Sequence, residues 1–162
     1  MKKIFWFVIF LFCMPAGAKV EVHFTPSSAC EDSIVSLIGS ANKTIDAAVY
    51  SINNDEIVRA LKAAHQRGVR LRILTDKTQA GLKSSKVLDL YRYGINIKVN
   101  SSFKIEHNKF AIFDGQKVST GSFNWANPAS QKNSENCLFV AHDSKTVARY
   151  AKRFNELWAL NS

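Results

Sequence analysis

The sequence predicts an α/β fold: a mixed β-sheet flanked by helices on both faces, in a single domain. Two observations carry that expectation. Segments of strand-like and helical apolar patterning follow one another from about residue 19 to residue 160, with no linker or low-complexity stretch between them. The composition, 46% hydrophobic and 22% charged with only 7 Gly and 3 Pro in 162 residues, lies in the globular range and supplies enough apolar surface for a core. The amino-terminal segment stands apart from this pattern: Lys2 and Lys3, an apolar run from Ile4 to Met14, then Pro15 and Ala16-Gly17-Ala18 match the charged, apolar and small-residue regions of a secretory signal.

The expected organisation is therefore a signal over residues 1–18, cleaved after Ala18, and one folded domain over residues 19–162, secreted or periplasmic. Cleavage removes two of the 22 Lys and Arg and none of the 13 Asp and Glu, so the net charge falls only from +9 to +7. The basic excess belongs to the domain and favours an anionic partner. Retention as an anchor is the weaker alternative, because the apolar stretch is shorter than the ~20 residues a spanning helix needs; no stable membrane insertion is expected once the signal is gone. Cys13 follows the bulky Phe12, which argues against lipid attachment.

The elements follow in order. Lys19 to Phe24 alternates polar and apolar residues and predicts an opening strand. Ser28-Ala29-Cys30-Glu31 has the spacing of a capping box, followed by a helix with Ile34, Val35, Leu37 and Ile38 on its apolar face. Thr44 to Tyr50 predicts a mostly apolar strand. Asn53 or Asn54 caps the next helix, which runs through Ile57, Val58, Leu61 and Ala64 to a stop at Gly68. Val69, Leu71 and Ile73 alternate with Arg70 and Arg72 in a third strand. A shorter helix from Ser85 to Tyr93 ends at Gly94, and Ile95, Ile97 and Val99 form another strand. Asp114-Gly115 is a two-residue hairpin signal joining Lys109–Phe113 to Lys117–Thr120. Cys137 to Ala141 is apolar enough for an interior strand, and Val147, Tyr150, Ala151, Phe154, Leu157 and Trp158 recur at helical spacing in a closing helix over Ser144 to Leu160.

Cys30 and Cys137 are the cysteines of the domain. They form one disulfide or stand as two buried thiols; neither has a neighbour at metal-ligand spacing.

One stretch resists a purely structural account: Glu106-His107-Asn108-Lys109, then Asp114, Gly121-Ser122-Phe123-Asn124 and Asn133-Ser134-Glu135-Asn136. On a strand, His107 and Lys109 share a face, which sets an imidazole beside an ammonium. Two groups that can both be cationic are best reconciled by an anion between them, and a phosphate fits. A neutral imidazole nitrogen can attack phosphorus while the ammonium steadies charge on the oxygens.

The spacing His107-x-Lys109-x4-Asp114, followed by Gly121-Ser122-x-Asn124 and Glu135, resembles the HKD signature of the phospholipase D superfamily, and the likeness extends over the whole of residues 19–160. The small secreted or periplasmic metal-independent bacterial endonucleases are the branch it looks most like. The resemblance implies the fold of that family, with His107 as the nucleophile that forms a phosphohistidine, Lys109 and Asn124 on the phosphate oxygens, and Ser122 hydrogen-bonding in the same site. Glu135 would accept a hydrogen bond from the other imidazole nitrogen. Asp114 belongs to the motif, but its turn already explains it, so its expected role is structural. The family brings two such motifs to one active site. This sequence holds one, and His23, His65 and His142 have no Lys two positions on. A homodimer with the active site at its interface is the expected solution.

The functional expectation is an endonuclease cleaving DNA, with RNA also open. The alternatives are a phospholipase acting on anionic lipid such as cardiolipin, and a non-catalytic basic module that binds nucleic acid. One His and one separate Glu make no carboxylate set for Mg²⁺ and no His set for Zn²⁺, so no metal or other cofactor is expected. A histidine must be neutral to attack and protonated to donate, so the rate should peak within a unit or two of its ~6.5 reference value. Arg67, Arg70 and Arg72 read as an exposed edge or equally as contacts to a nucleic-acid backbone, and Lys77 to Lys86 as a basic loop walling a substrate groove. Phe103 and Trp125 are candidate base-stacking platforms, Trp125 equally a core residue.

Overall fold

In a computed structural model, which describes residues 17–161, the chain follows the order β1 (Lys19–Phe24), α1 (Ala29–Ser40), β2 (Thr44–Val49), α2 (Asp55–Gln66), β3 (Arg70–Thr75), α3 (Lys77–Ala80), α4 (Val87–Arg92), β4 (Asn96–Val99), β5 (Lys109–Phe113), β6 (Lys117–Gly121), α5 (Asn127–Gln131), β7 (Asn136–Ala141) and α6 (Ser144–Leu160). The expected signal lies, but for Gly17 and Ala18, outside the described residues. The strands form one sheet in the order β1-β7-β6-β5-β2-β3-β4. Pairing is parallel from β2 through β3 to β4 and antiparallel from β2 through β5, β6 and β7 to β1. The mixed sheet in one α/β domain is the expected fold. The pairing brings the carboxyl ends of β1, β2, β3, β4 and β6 together with the amino ends of β5 and β7 at one edge of the sheet.

Alternation along β2 divides the core. Ile45, Ala47 and Val49 face α1 and α2, and Ala48 faces α6. On the α6 side, Val147, Phe154 and Leu157 close over Ala48, Leu74, Phe110, Ile112 and Val118, each large side chain contributing roughly 1.5–3 kcal/mol by its burial. On the other side, the Cys30–Cys137 disulfide forms, with Cα atoms 5.8 Å apart, and ties α1 to β7. Trp125 is core: it is 2% exposed, and its carbonyl accepts from the backbone N–H groups of Asn53 and Asn54.

Several local expectations need correction. Arg72 is not at an exposed edge: it pairs in register with Asp46 across β2 and β3, donates to both its carboxylate oxygens at 2.7 and 2.8 Å, and lies 4.9 Å from the Phe154 ring. The pleat turns Arg72 toward α6, where a carboxylate and two aromatic rings receive the guanidinium. Arg67 and Arg70 are exposed as expected, and Arg67 also donates to the carbonyls of Ile38 and Ala41 at the end of α1. The Ser28–Glu31 capping box does not form, because the Glu31 carboxylate accepts instead from Asn54 Nδ2 (2.7 Å) and Ser130 Oγ (2.5 Å). Asn54 is the cap of α2, accepting from the Ile57 N–H. The basic segment after β3 is partly helical: Asp76 accepts from the backbone of Thr78 and Gln79 and starts the single turn α3, and the helix expected from Ser85 begins at Val87.

Candidate active site

His107 sits in the loop that leads into β5, not in the strand, so its neighbours rather than the pleat set its direction. Three ties hold the loop. The Tyr50 N–H donates to the Asn108 carbonyl (2.9 Å), continuing the β2–β5 ladder one step past Val49 and Lys109. The Glu106 N–H donates to Asp76 Oδ2 (3.1 Å), which anchors the loop to the end of β3. The buried Glu106 carboxylate accepts from the Asn108 side-chain amide at 2.6 Å and from its backbone at 3.2 Å.

The expected neighbours are brought together in a way the strand argument did not foresee. The His107 imidazole meets the Tyr50 ring edge-on at 4.7 Å, the Lys109 ammonium stands 5.0 Å from the centre of the same ring, and Lys109 Nζ donates to the His107 carbonyl at 2.6 Å. Tyr50 is in turn fixed by Gln79, which donates to its hydroxyl at 3.0 Å. Burial pushes the Lys109 ammonium below its ordinary value; Glu135 and Glu106 pull the other way and recover only part of the shift.

Ser122 and Glu135 meet through the close approach of β6 to β7. Gly121 has φ +140, and a Cβ there would lie 2.4 Å from the Asn136 carbonyl oxygen, so only glycine fits. Just beyond it, the Ser122 N–H donates to Asn136 Oδ1 (2.9 Å), the Asn136 N–H donates to Ser122 Oγ (3.0 Å), and that hydroxyl donates to Glu135 (2.5 Å). The second Glu135 oxygen accepts from the Asn133 amide (3.0 Å), so within one chain the carboxylate is engaged by Ser122 and Asn133 rather than by His107. Asn124 Oδ1 is buried with no hydrogen-bond partner among the described residues, an acceptor left open.

Asp114 lies elsewhere, at the far end of β5, roughly 17 Å along the strand from Lys109. Its carboxylate accepts from the backbone N–H groups of Asn42 (3.0 Å), Lys43 (2.8 Å) and Thr44 (2.9 Å), pinning the entry of β2 to the hairpin. Burial acts to raise its pKa, but the three N–H donors and the Lys43 charge outweigh it and hold the carboxyl below its usual range.

A groove of about 490 Å³ opens beside His107 and Lys109, bounded by Thr120 and Gly121 and, across from them, by Thr146, Arg149, Tyr150 and Arg153 of α6. The segment Lys77 to Lys86 does not line it; Lys86 is drawn instead to Asp55 at the start of α2 (3.2 Å). The arginines of α6 were legible only as the polar side of an amphipathic helix, and Tyr50 only as the end of a strand. Glu106 and Asp76 gave no signal beyond their carboxylates. Of the other histidines, His23 bonds Glu21 and His65 packs edge-on against Tyr93.

Residues 34–158 match the family described as "Cardiolipin synthase, PLD-like domain". The chain is 37% identical over 137 residues to a phospholipase D of Rickettsia conorii, covering 85% of this chain and 68% of that protein. It is 35% identical over 147 residues to a mitochondrial cardiolipin hydrolase of Chlamydomonas reinhardtii, covering 89% of this chain but only 65% of the relative's length. Among solved structures, Nuc of Salmonella typhimurium, described as a phospholipase D family member, superposes with a TM-score of 0.84 at 30% identity, over 90% of this chain and 97% of that one. NucT of Helicobacter pylori shares the fold at the same TM-score and 24% identity, over 90% of this chain and 98% of that one.

Proposed function

Because this chain belongs to the phospholipase D superfamily, we propose that it is a metal-independent phosphodiesterase, an endonuclease acting on DNA as a secreted or periplasmic homodimer. The observation that carries the reading is the His107–Lys109 pair held on the Tyr50 ring and opening onto a groove with two arginines. In the reaction, a neutral nitrogen of His107 attacks phosphorus, the N–P bond forms, and the P–O bond to the leaving strand breaks. The leaving oxygen takes a proton from the protonated imidazole of a second copy's motif. Water then attacks phosphorus, the N–P bond breaks to release His107, and that second imidazole, now neutral, takes the proton of the water. Lys109, half-buried, gains a counter-charge when phosphate arrives, and with Asn124 it steadies the oxygens, while Ser122 holds Glu135 in the same site. Glu135 orients a histidine.

A dimer is supported by the chemistry, which needs two imidazoles where one chain has a single His-Lys pair. The open Asn124 acceptor and a Glu135 not bonded to its own His107 are consistent with groups arriving from outside the chain. The Cys30–Cys137 bond supports an oxidising compartment.

A lipid substrate is the second reading, favoured by the names of the cardiolipin hydrolase and phospholipase D relatives. One experiment separates them: protein beginning at Lys19, wild type and His107→Ala, is incubated in excess EDTA with single-stranded DNA, double-stranded DNA and cardiolipin liposomes, and its mass is measured by sedimentation. Cleavage of DNA that survives the chelator and is lost in the variant, by a dimer, is the expected result. Hydrolysis of liposomes alone overturns the substrate, EDTA sensitivity the metal independence, and an active monomer the two-histidine mechanism. Nucleic-acid binding without turnover, unaffected by His107→Ala, would mean a binding module.

A further inference from the structure

The groove continues past His107 and Lys109 onto α6, where Arg149 and Arg153 stand one helical turn apart, roughly 6 Å along the axis. Both are exposed. Arg149 has no hydrogen bond or ion pair among the described residues, and Arg153 has only a long contact to Glu156 (3.5 Å) in water. Neither is needed by the fold, since α6 seats itself through Val147, Phe154 and Leu157 on its other side. Two cations, one unpaired among the described residues and one only weakly paired, lining a groove that begins at the candidate nucleophile, match an anion longer than the single phosphate that Lys109 can hold.

Resting on the nuclease reading above, we propose that Arg149 and Arg153 form a subsite for the phosphates next to the scissile one, so that the enzyme recognises a polynucleotide strand rather than an isolated phosphodiester. The walls agree. Phe110, the apolar side chain on the groove, is buried, and the Tyr150 hydroxyl donates to Thr120, so the groove wall is mainly polar, as a phosphate backbone requires. Beyond Arg153 the exposed Phe103 ring lies 5.9 Å from its guanidinium, where an unstacked base can rest. The Phe103 loop is already fixed, its N–H and carbonyl both bonded to the Asn100 side chain.

The test compares two substrates in EDTA: bis(p-nitrophenyl) phosphate, which has one phosphodiester, and oligodeoxynucleotides of two to eight residues. For the wild type, kcat/KM should climb with oligonucleotide length and then level off. In Arg149→Gln and Arg153→Gln the ratio of oligonucleotide to small-diester kcat/KM should fall about tenfold each and about a hundredfold together. The slope of log(kcat/KM) against log[salt] should flatten by about 0.7 for each arginine. Arg149→Lys should recover part of the ratio, which separates charge from packing. A parallel loss on both substrates would overturn the subsite, as would a ratio and salt slope that do not move. A wild type that hydrolyses the small diester but no oligonucleotide of any length would instead refute the nuclease reading, and the subsite with it.

Discussion

Tyr50 has a ring that touches both members of the His107–Lys109 pair, and its own position is set by Gln79 and by the backbone bond to Asn108. Removing the ring while keeping a core-sized side chain frees both groups at once. Tyr50→Leu should lower kcat by about 10–100-fold and shift the acid limb of the pH–rate profile, while Tyr50→Phe, which loses only the Gln79 bond, should stay within a few fold; pH-resolved kinetics on the two variants decide it. Gly121 makes a different demand. Its positive φ and the 2.4 Å approach of the Asn136 carbonyl leave no room for a methyl group, so Gly121→Ala must push β6 from β7 and pull Ser122 off Glu135. Activity should collapse while a cooperative thermal transition survives at lower temperature. Asp114 acts on stability. Its carboxyl is held below the usual value, so its contribution is present above the unfolded value near ~3.9 and is lost as pH falls through the lower folded value. Asp114→Asn should cost about 1.5–3 kcal/mol at pH 7 and less below pH 4, in urea titrations at the two pH values, with kcat little changed.

At the scale of elements, α6 closes one face of the sheet and walls the groove, and the disulfide joins α1 to the strand that follows Glu135. The bridge spans 107 residues of sequence, long enough that its loss should destabilise the chain by roughly 2–5 kcal/mol. A Cys30→Ala/Cys137→Ala variant should melt well below the wild type, and an unchanged midpoint would show that the bond carries none of the stability. Which of the longer elements exist was readable from apolar periodicity, because burial on two faces leaves apolar runs such as Phe110 to Phe113, whereas the short α3 and α5 leave no such trace. What each polar residue does was less readable, because that depends on what the register sets opposite it. Arg72 looked exposed until Asp46 lay across from it, Glu31 looked like a cap until Asn54 and Ser130 reached it, and Lys77–Lys86 looked like a groove wall until α6 took that place.

Over the whole molecule, the site residues quoted from the sequence gather at one edge of the sheet, apart from Asp114, whose turn had already marked it as structural. Their spacing was legible as a family signature, whereas the Tyr50 ring and the α6 arginines come from distant sequence and meet the motif only through topology. That topology also orders events in time. β1 pairs with β7, Lys19 opposite Ala141, so the sheet has no complete edge until most of the chain exists. At ribosomal speeds of about 5–20 residues per second, roughly 6–24 s separate the two strands, and α6 emerges later still. Through that interval the sheet lacks its β1–β7 edge and the groove lacks its α6 wall, so the site can be assembled only after the carboxyl-terminal helix has been made.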